Sequence, residues 1–107
     1  MTAALQNSYD ESIFSDEQRV SRVVEMLKAV AHPVRLRIVA VLRQGECNVS
    51  GLATMLDLNQ AIVSQQLRIL RMSGLVEVTR EGGFANYRLA EPRLIELLHC
   101  MEGCAID

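Results

Sequence analysis

The stretch from Asn48 to Gly74, NVSGLATMLDLNQAIVSQQLRILRMSG, constrains this chain more than any other. It holds two apolar patterns separated by a polar turn at Asp57, Leu58 and Asn59. In the first, Leu52, Ala53 and Leu56 follow Asn48, a residue suited to capping a helix. In the second, Ile62, Val63, Leu67 and Leu70 repeat the same three-and-four period behind Asn59, and Ser73-Gly74 ends it. Two helices follow, Val49 to Leu56 and Gln60 to Met72, joined by a tight turn. The second leaves a run of bare polar side chains, Gln60, Ser64, Gln65, Gln66 and Arg68, outside its apolar stripe.

The rest of the chain frames this pair. Residues 1–14 show no helical period and are expected to form a flexible tail ahead of one domain spanning 15–107. Ser15 and Gln18 have capping-box spacing. A helix then runs to about Ala31, with Val20, Val23, Val24, Leu27 and Ala31 on one stripe. Pro33 stops it and suits the first position of the next helix, Pro33 to Gln44, which leaves through Gly45 as a left-handed exit. His32 is expected at that helix start. Leu36, Ile38, Val39 and Leu42 face inward there, and Arg35, Arg37 and Arg43 outward. Beyond Gly74 the period changes to two: Val76 and Val78, then Ala85, Tyr87 and Leu89, flank Gly82-Gly83, which predicts a β-hairpin with a two-residue turn. Pro92 opens a last helix carrying Leu94, Ile95, Leu97, Leu98 and Met101.

The order α-α-α-α-β-β-α, mainly α with a hairpin, is that of a winged helix-turn-helix. A helix fits the major groove of DNA, where every base pair presents its own donor and acceptor pattern. Gln suits adenine, Arg suits guanine, and Ser donates or accepts. Gln60 and Ser64, at i, i+4, lie near one exposed face with Gln65, and Arg68 follows one turn on. Arg80 and Arg88 on the hairpin are expected against the phosphate backbone or minor groove, giving affinity while the helix gives sequence choice. The competing reading of Gln60 to Arg68 is a merely solvated helix face. The preceding short helix, the turn and the wing weigh against it.

The net charge of −2 alone points away from nucleic acid, but its distribution does not. From Asn59 to Arg93 five Arg face three Glu, whereas both ends of the chain are acidic. Position decides more than the sum. The chain of 107 residues is half apolar with four aromatic residues, so its core is small and aliphatic. The first and last helices are more apolar than that core requires, which predicts a homodimer through them. Its two recognition helices would then meet a palindromic operator about 34 Å apart. No leader or membrane-length apolar run is present, so the expected location is cytoplasmic, with Cys47, Cys100 and Cys104 starting as thiols. Two histidines, no phosphate-binding glycine loop and no spaced carboxylate pair give catalysis little support.

The segments VAHPVRLRIVAVL and NVSGLATMLDLNQAIVSQQLRILRMSGLVEVTREGGFANYRL resemble the ArsR/SmtB family of winged-helix repressors, from about Val30 to Leu89. That resemblance implies a homodimer on double-stranded operator DNA that lets go when a small inorganic inducer binds. It also implies where branches of the family sense. The arsenic branch places Cys-Val-Cys at the start of the third helix, where this chain has Asn48 and Ser50. A zinc branch uses Asp and His along the last helix, where Glu91, Arg93, Cys104 and Asp107 stand here. A redox or sulfide branch pairs a second-helix Cys, here Ala40, with one in the last helix. None of these sets is intact.

Cys100 and Cys104 remain, at i, i+4 on the last helix, which brings their sulfurs to one face. With Cys47 as a third thiolate, trivalent arsenic or antimony fits; with His99, a soft metal ion such as cadmium, zinc or copper(I) does. No resident cofactor is required. The same thiols could instead oxidise or take up reactive sulfur. Cysteines are also common as small apolar fillers, which leaves a regulator of this fold without thiol sensing. A winged helix that binds only protein is the reading from another class, and its binding would be insensitive to salt.

Overall fold

The computed structural model describes residues 15–103; the expected tail at 1–14, together with Cys104 and Asp107, lies outside them. Five helices and a hairpin follow in order: α1 Glu17–Val30, α2 Pro33–Gln44, α3 Val49–Leu56, α4 Gln60–Met72, β1 Val76–Glu81, β2 Phe84–Leu89 and α5 Pro92–Glu102. Each helix start has a side chain meeting its free N–H groups, as first-turn amides require. At α1 that residue is Asp16 and not Ser15: its carboxylate accepts from the amides of Gln18 at 2.9 Å and Arg19 at 3.4 Å. At α2, His32 Nδ1 accepts from Val34 at 3.2 Å, and Pro33 takes the first helical position. Asn48 Oδ1 accepts from Gly51 at 2.7 Å, and Asn59 Oδ1 from Ala61 at 2.7 Å.

The turn between α3 and α4 works because Asp57 adopts a left-handed conformation, φ 55°. Asp tolerates that region better than most residues. The amide of Leu58 then returns to the Ala53 carbonyl at 2.9 Å, which closes α3 and re-aims the chain. Gly45 differs from expectation: with φ 159° and ψ 169° it is close to fully extended, not a left-handed exit. The wing is the expected antiparallel hairpin, pairing Val76 with Leu89 through Glu81 with Phe84. Its turn residues Gly82 and Gly83 have φ 55° and 83°, the sign a two-residue hairpin turn of this twist needs at both positions.

The core is aliphatic, as the composition predicts. Ile38 and Val39 of α2, Leu52 of α3, Val63, Leu67 and Leu70 of α4, and Leu94 of α5 are wholly inaccessible. Ile62 departs from its expected inward position and is 43% exposed. Val24 and Leu27 on α1, with Ile95 and Met101 on α5, are also exposed large apolar residues. Cys47 holds the α2–α3 connection to the wing: its amide donates to the Tyr87 carbonyl at 3.1 Å, and the Tyr87 amide donates back at 2.8 Å. Its Sγ packs over the start of α3, where a Cβ on Gly51 would come within 2.7 Å of it. Glycine is therefore required at position 51 while that sulfur stays in place.

Candidate nucleic-acid interface

The buried side of α4 is narrow, and that frees its opposite side. Val63, Leu67 and Leu70 are sealed in the core, while Gln60, Ser64, Gln65 and Arg68 are exposed. At about 100° per residue these four fall within one arc of roughly 140°. Arg71 falls in the same arc, one turn beyond Arg68, and lines a shallow cleft with Arg68 and Met72. The apolar period does not single out Arg71, but its i+3 spacing from Arg68 does. Among the described residues, the side chains of Gln60, Gln65, Arg68 and Arg71 have no hydrogen-bond or ion-pair partner. They are donors and acceptors left available to a ligand.

Gln66 belongs elsewhere. It is half-buried, and its Oε1 accepts from Arg35 Nη1 at 2.9 Å. The expected outward Arg35 is thus an internal brace: its Nε also donates to the Ala29 carbonyl at the end of α1 at 2.5 Å. One guanidinium therefore links α1, α2 and α4. Arg37, two residues on, donates to the Leu56 carbonyl at 3.1 Å and supports the end of α3. Arg43 is no free surface cation either, since its Nη1 meets the Glu102 carboxylate of α5 at 2.6 Å.

The two wing arginines also part company. Arg80, one pair from the strand end, is exposed and unpartnered among the described residues. Arg88 sits opposite Glu77, donates to its carboxylate at 2.7 Å and to Thr79 Oγ1 at 2.7 Å, and has Glu46 at 3.8 Å. Two carboxylates meet its charge, so Arg80 is the wing cation open to a phosphate.

Of the candidate sensing residues, Cys100 and His99 are exposed on α5, Cys47 is half-buried against Gly51, and Cys104 lies outside the described residues. No group of three or more His, Cys, Asp or Glu able to hold a metal ion occurs among the described residues. No helix there is long and apolar enough to cross a membrane.

An exposed Gln on such an arc is expected to read a base. Gln65→Ala should shift preference at one operator position by about 1–3 kcal/mol and leave the protein's assembly state unchanged. Selection from a randomised duplex library reads this out; an unaltered preference would remove Gln65 from the reading set.

Comparison with known proteins agrees with this geometry. Residues 32–78 match the model of the bacterial regulatory protein, arsR family. The biofilm growth-associated repressor of Agrobacterium fabrum is 44% identical over 79% of this chain and 75% of its own. HlyU of Vibrio cholerae, described as a transcriptional activator, is 37% identical over 78% of this chain and 80% of its own. Its structure gives a TM-score of 0.75 at 36% identity, covering 80% of this chain and 97% of that one. The homodimeric winged helix-turn-helix DNA-binding domain Mb0332 of Mycobacterium bovis gives 0.71 at 35% identity, covering 78% of this chain and 77% of that one.

Proposed function

This chain belongs to the arsR family of bacterial regulatory proteins, and on that premise we propose that it is a homodimeric, operator-binding repressor released by a thiol-reactive inducer at its last helix. As a winged helix-turn-helix member of that family it is a DNA-binding transcriptional regulator and not an enzyme. The observation that carries the finer reading is the unpartnered arc of Gln60, Ser64, Gln65 and Arg68, held from behind by Arg35 and Gln66. Polar groups aimed outward on a braced helix suit base-edge recognition, because their geometry is fixed before DNA arrives.

Pairing is supported by the exposed apolar side chains Val24 and Leu27 on α1 and Ile95 and Met101 on α5. A twofold pair spaces the two α4 helices for a palindrome, about 34 Å from centre to centre. Repression is supported by the Agrobacterium relative, whose name says repressor. The activator HlyU makes the sign worth testing directly, with a promoter-fused reporter in cells lacking this protein.

The inducer acts at Cys100 and Cys104. Cys100 is exposed, and two residues on, Glu102 holds Arg43 of α2. A thiolate ligand set formed there would tug at a contact that ties α5 to the body of the fold. Trivalent arsenic or antimony, or a soft cation, fits such donors. The second reading, oxidation or uptake of reactive sulfur by the same thiols, rests on the same exposure.

The test is operator binding by fluorescence anisotropy, with arsenite, antimonite, cadmium, peroxide and polysulfide added in turn. The Cys100→Ser, Cys104→Ser variant should bind DNA within about twofold of the parent and show no response. A response equal to the parent's would end the thiol-sensing proposal. Response to peroxide or polysulfide alone marks the second reading. Cys47→Ala separates a two-thiolate site, where the arsenite response stays, from a three-thiolate site, where it goes.

A further inference from the structure

Away from the DNA-reading arc, α1, the turn at residues 73–75 that follows α4 and the start of α5 border a groove of about 430 Å³. Arg19 and Arg22 of α1 and Arg93 of α5 line it, with Val23, Met26 and Leu75 as apolar lining. That volume lies within the roughly 300–1,000 Å³ of small-molecule sites, which combine apolar walls with a few polar anchors. Two carboxylates, Glu25 and Glu91, also border the groove and keep their charge there. Glu25 pairs with Lys28 at 3.7 Å, and Glu91 caps α5 by accepting from the Arg93 amide at 3.1 Å. The guanidinium groups of Arg19, Arg22 and Arg93 have no partner among the described residues. Three cations and two carboxylates thus line one partly apolar groove, and none of the cations makes an ion pair among the described residues.

The groove is also separate from the apolar stripe proposed to pair the protomers. Arg19, Arg22, Val23 and Met26 share one side of α1. Leu27 and Val24 are centred about 120° further round the helix axis, with Leu27 bordering Val23. Pairing centred on the second side meets the groove at Val23 and lies furthest from Arg19, Arg22 and Met26.

We propose that this groove binds a small organic anion with an apolar body, of the class of aromatic or medium-chain carboxylates and sulfonates. The planar guanidinium fork donates two parallel bonds to such a head group, which gives orientation as well as attraction. Val23, Met26 and Leu75 take the apolar body out of water. The ligand would touch both helices proposed to pair and the turn at residues 73–75 that follows the helix that reads DNA. The site itself does not depend on thiol sensing or on the sign of regulation.

The test titrates the full chain with 1-anilinonaphthalene-8-sulfonate, an aromatic sulfonate that brightens on binding. One saturable site per chain is expected. The Arg22→Ala, Arg93→Ala variant should weaken it at least tenfold with an unchanged circular dichroism spectrum, since both side chains are exposed. The uncharged N-phenyl-1-naphthylamine should bind at least tenfold less tightly than the sulfonate. Equal binding of the two probes, or unchanged sulfonate binding by the double variant, would overturn the proposal. Displacement by millimolar inorganic phosphate would also overturn it, as a bare charge cluster with no use for an apolar body. A fall in the salt dependence of DNA binding in the double variant would reassign the arginines to DNA phosphates.

Discussion

Arg35→Ala is expected to lower folding stability by about 2–3 kcal/mol and to weaken operator binding about tenfold under conditions where the variant is still folded. Two donor groups set the size of this effect, Nη1 on Gln66 Oε1 and Nε on the Ala29 carbonyl, both partly shielded from water. Hydrogen bonds from a charged donor contribute about 1.5–3 kcal/mol each, and the pair shares one side chain, so the sum is not additive. Removing the guanidinium leaves two half-buried acceptors without their donor, and it releases the back of α4. Urea denaturation followed by circular dichroism gives the first quantity and anisotropy the second. Arg35→Lys should recover little, because one ammonium cannot reproduce a planar fork aimed at two acceptors. Gln66→Ala is the sharper control. As a brace it should lose less stability than Arg35→Ala, since the Ala29 bond survives, and keep the parent's base preference. A changed base preference with unchanged stability would return Gln66 to the DNA-reading set. Stability within about 0.5 kcal/mol of the parent for Arg35→Ala, the scatter of an ordinary surface substitution, would show that the brace carries nothing.

How much of this was legible in the sequence follows from the range of the interaction that decides each feature. The bounds of α2, α3 and α4 were legible because local groups set them: Pro33 after His32, Asn48, and Asn59, each within three residues of the amides it serves. The start of α1 was legible only to one residue, since Ser15 and Asp16 are both capping types and stand side by side. Gln66 was not legible. It differs from its neighbour Gln65 only by a step round the helix, and its partner Arg35 lies 31 residues away. The same long-range contact turned Arg35 inward.

Arg88 is a different case, because the sequence did carry the signal. Once Gly82-Gly83 is taken as a two-residue turn, counting outward pairs Glu81 with Phe84 and, four pairs on, Glu77 with Arg88. Opposite charges directly across an antiparallel pair attract. The register alone therefore separated Arg88 from Arg80. Ile62 shows the reverse limit: a three-and-four period marks a stripe but not its width, and this residue falls just outside it. For the cysteines, spacing predicts Cys100 and Cys104 on one helical face, but α5 ends at Glu102 and Cys104 lies outside the described residues, while whether Cys47 joins them depends on packing between elements far apart in the chain. What the structure adds is the sulfur of Cys47 against Gly51.

Raising monovalent salt from about 50 to about 200 mM is expected to weaken the operator complex about a thousandfold. Each protomer exposes Arg68, Arg71 and Arg80 without internal partners, so a dimer carries about six cations to the phosphates. Each neutralised phosphate contributes about −0.9 to the slope of log affinity against log salt, giving a slope near −5 and the stated loss over a fourfold change. Arg80→Ala removes one contact per protomer and should flatten the slope by about two, with nearly the same loss on every sequence. Arg88→Ala should move the slope little, because Glu77 and Glu46 already meet that charge. The two wing variants thus test the division of labour between neighbouring arginines on the hairpin. Equal effects would mean that the Arg88 pairs open on DNA, which exposed ion pairs of small net worth can do. A slope near zero for the parent protein would remove the DNA interface altogether and favour a winged helix that binds protein. The net charge of −2 does not argue for that outcome, since the acidic residues gather towards the chain ends while these three cations share the face that presents Gln60, Ser64 and Gln65 or the tip of the wing.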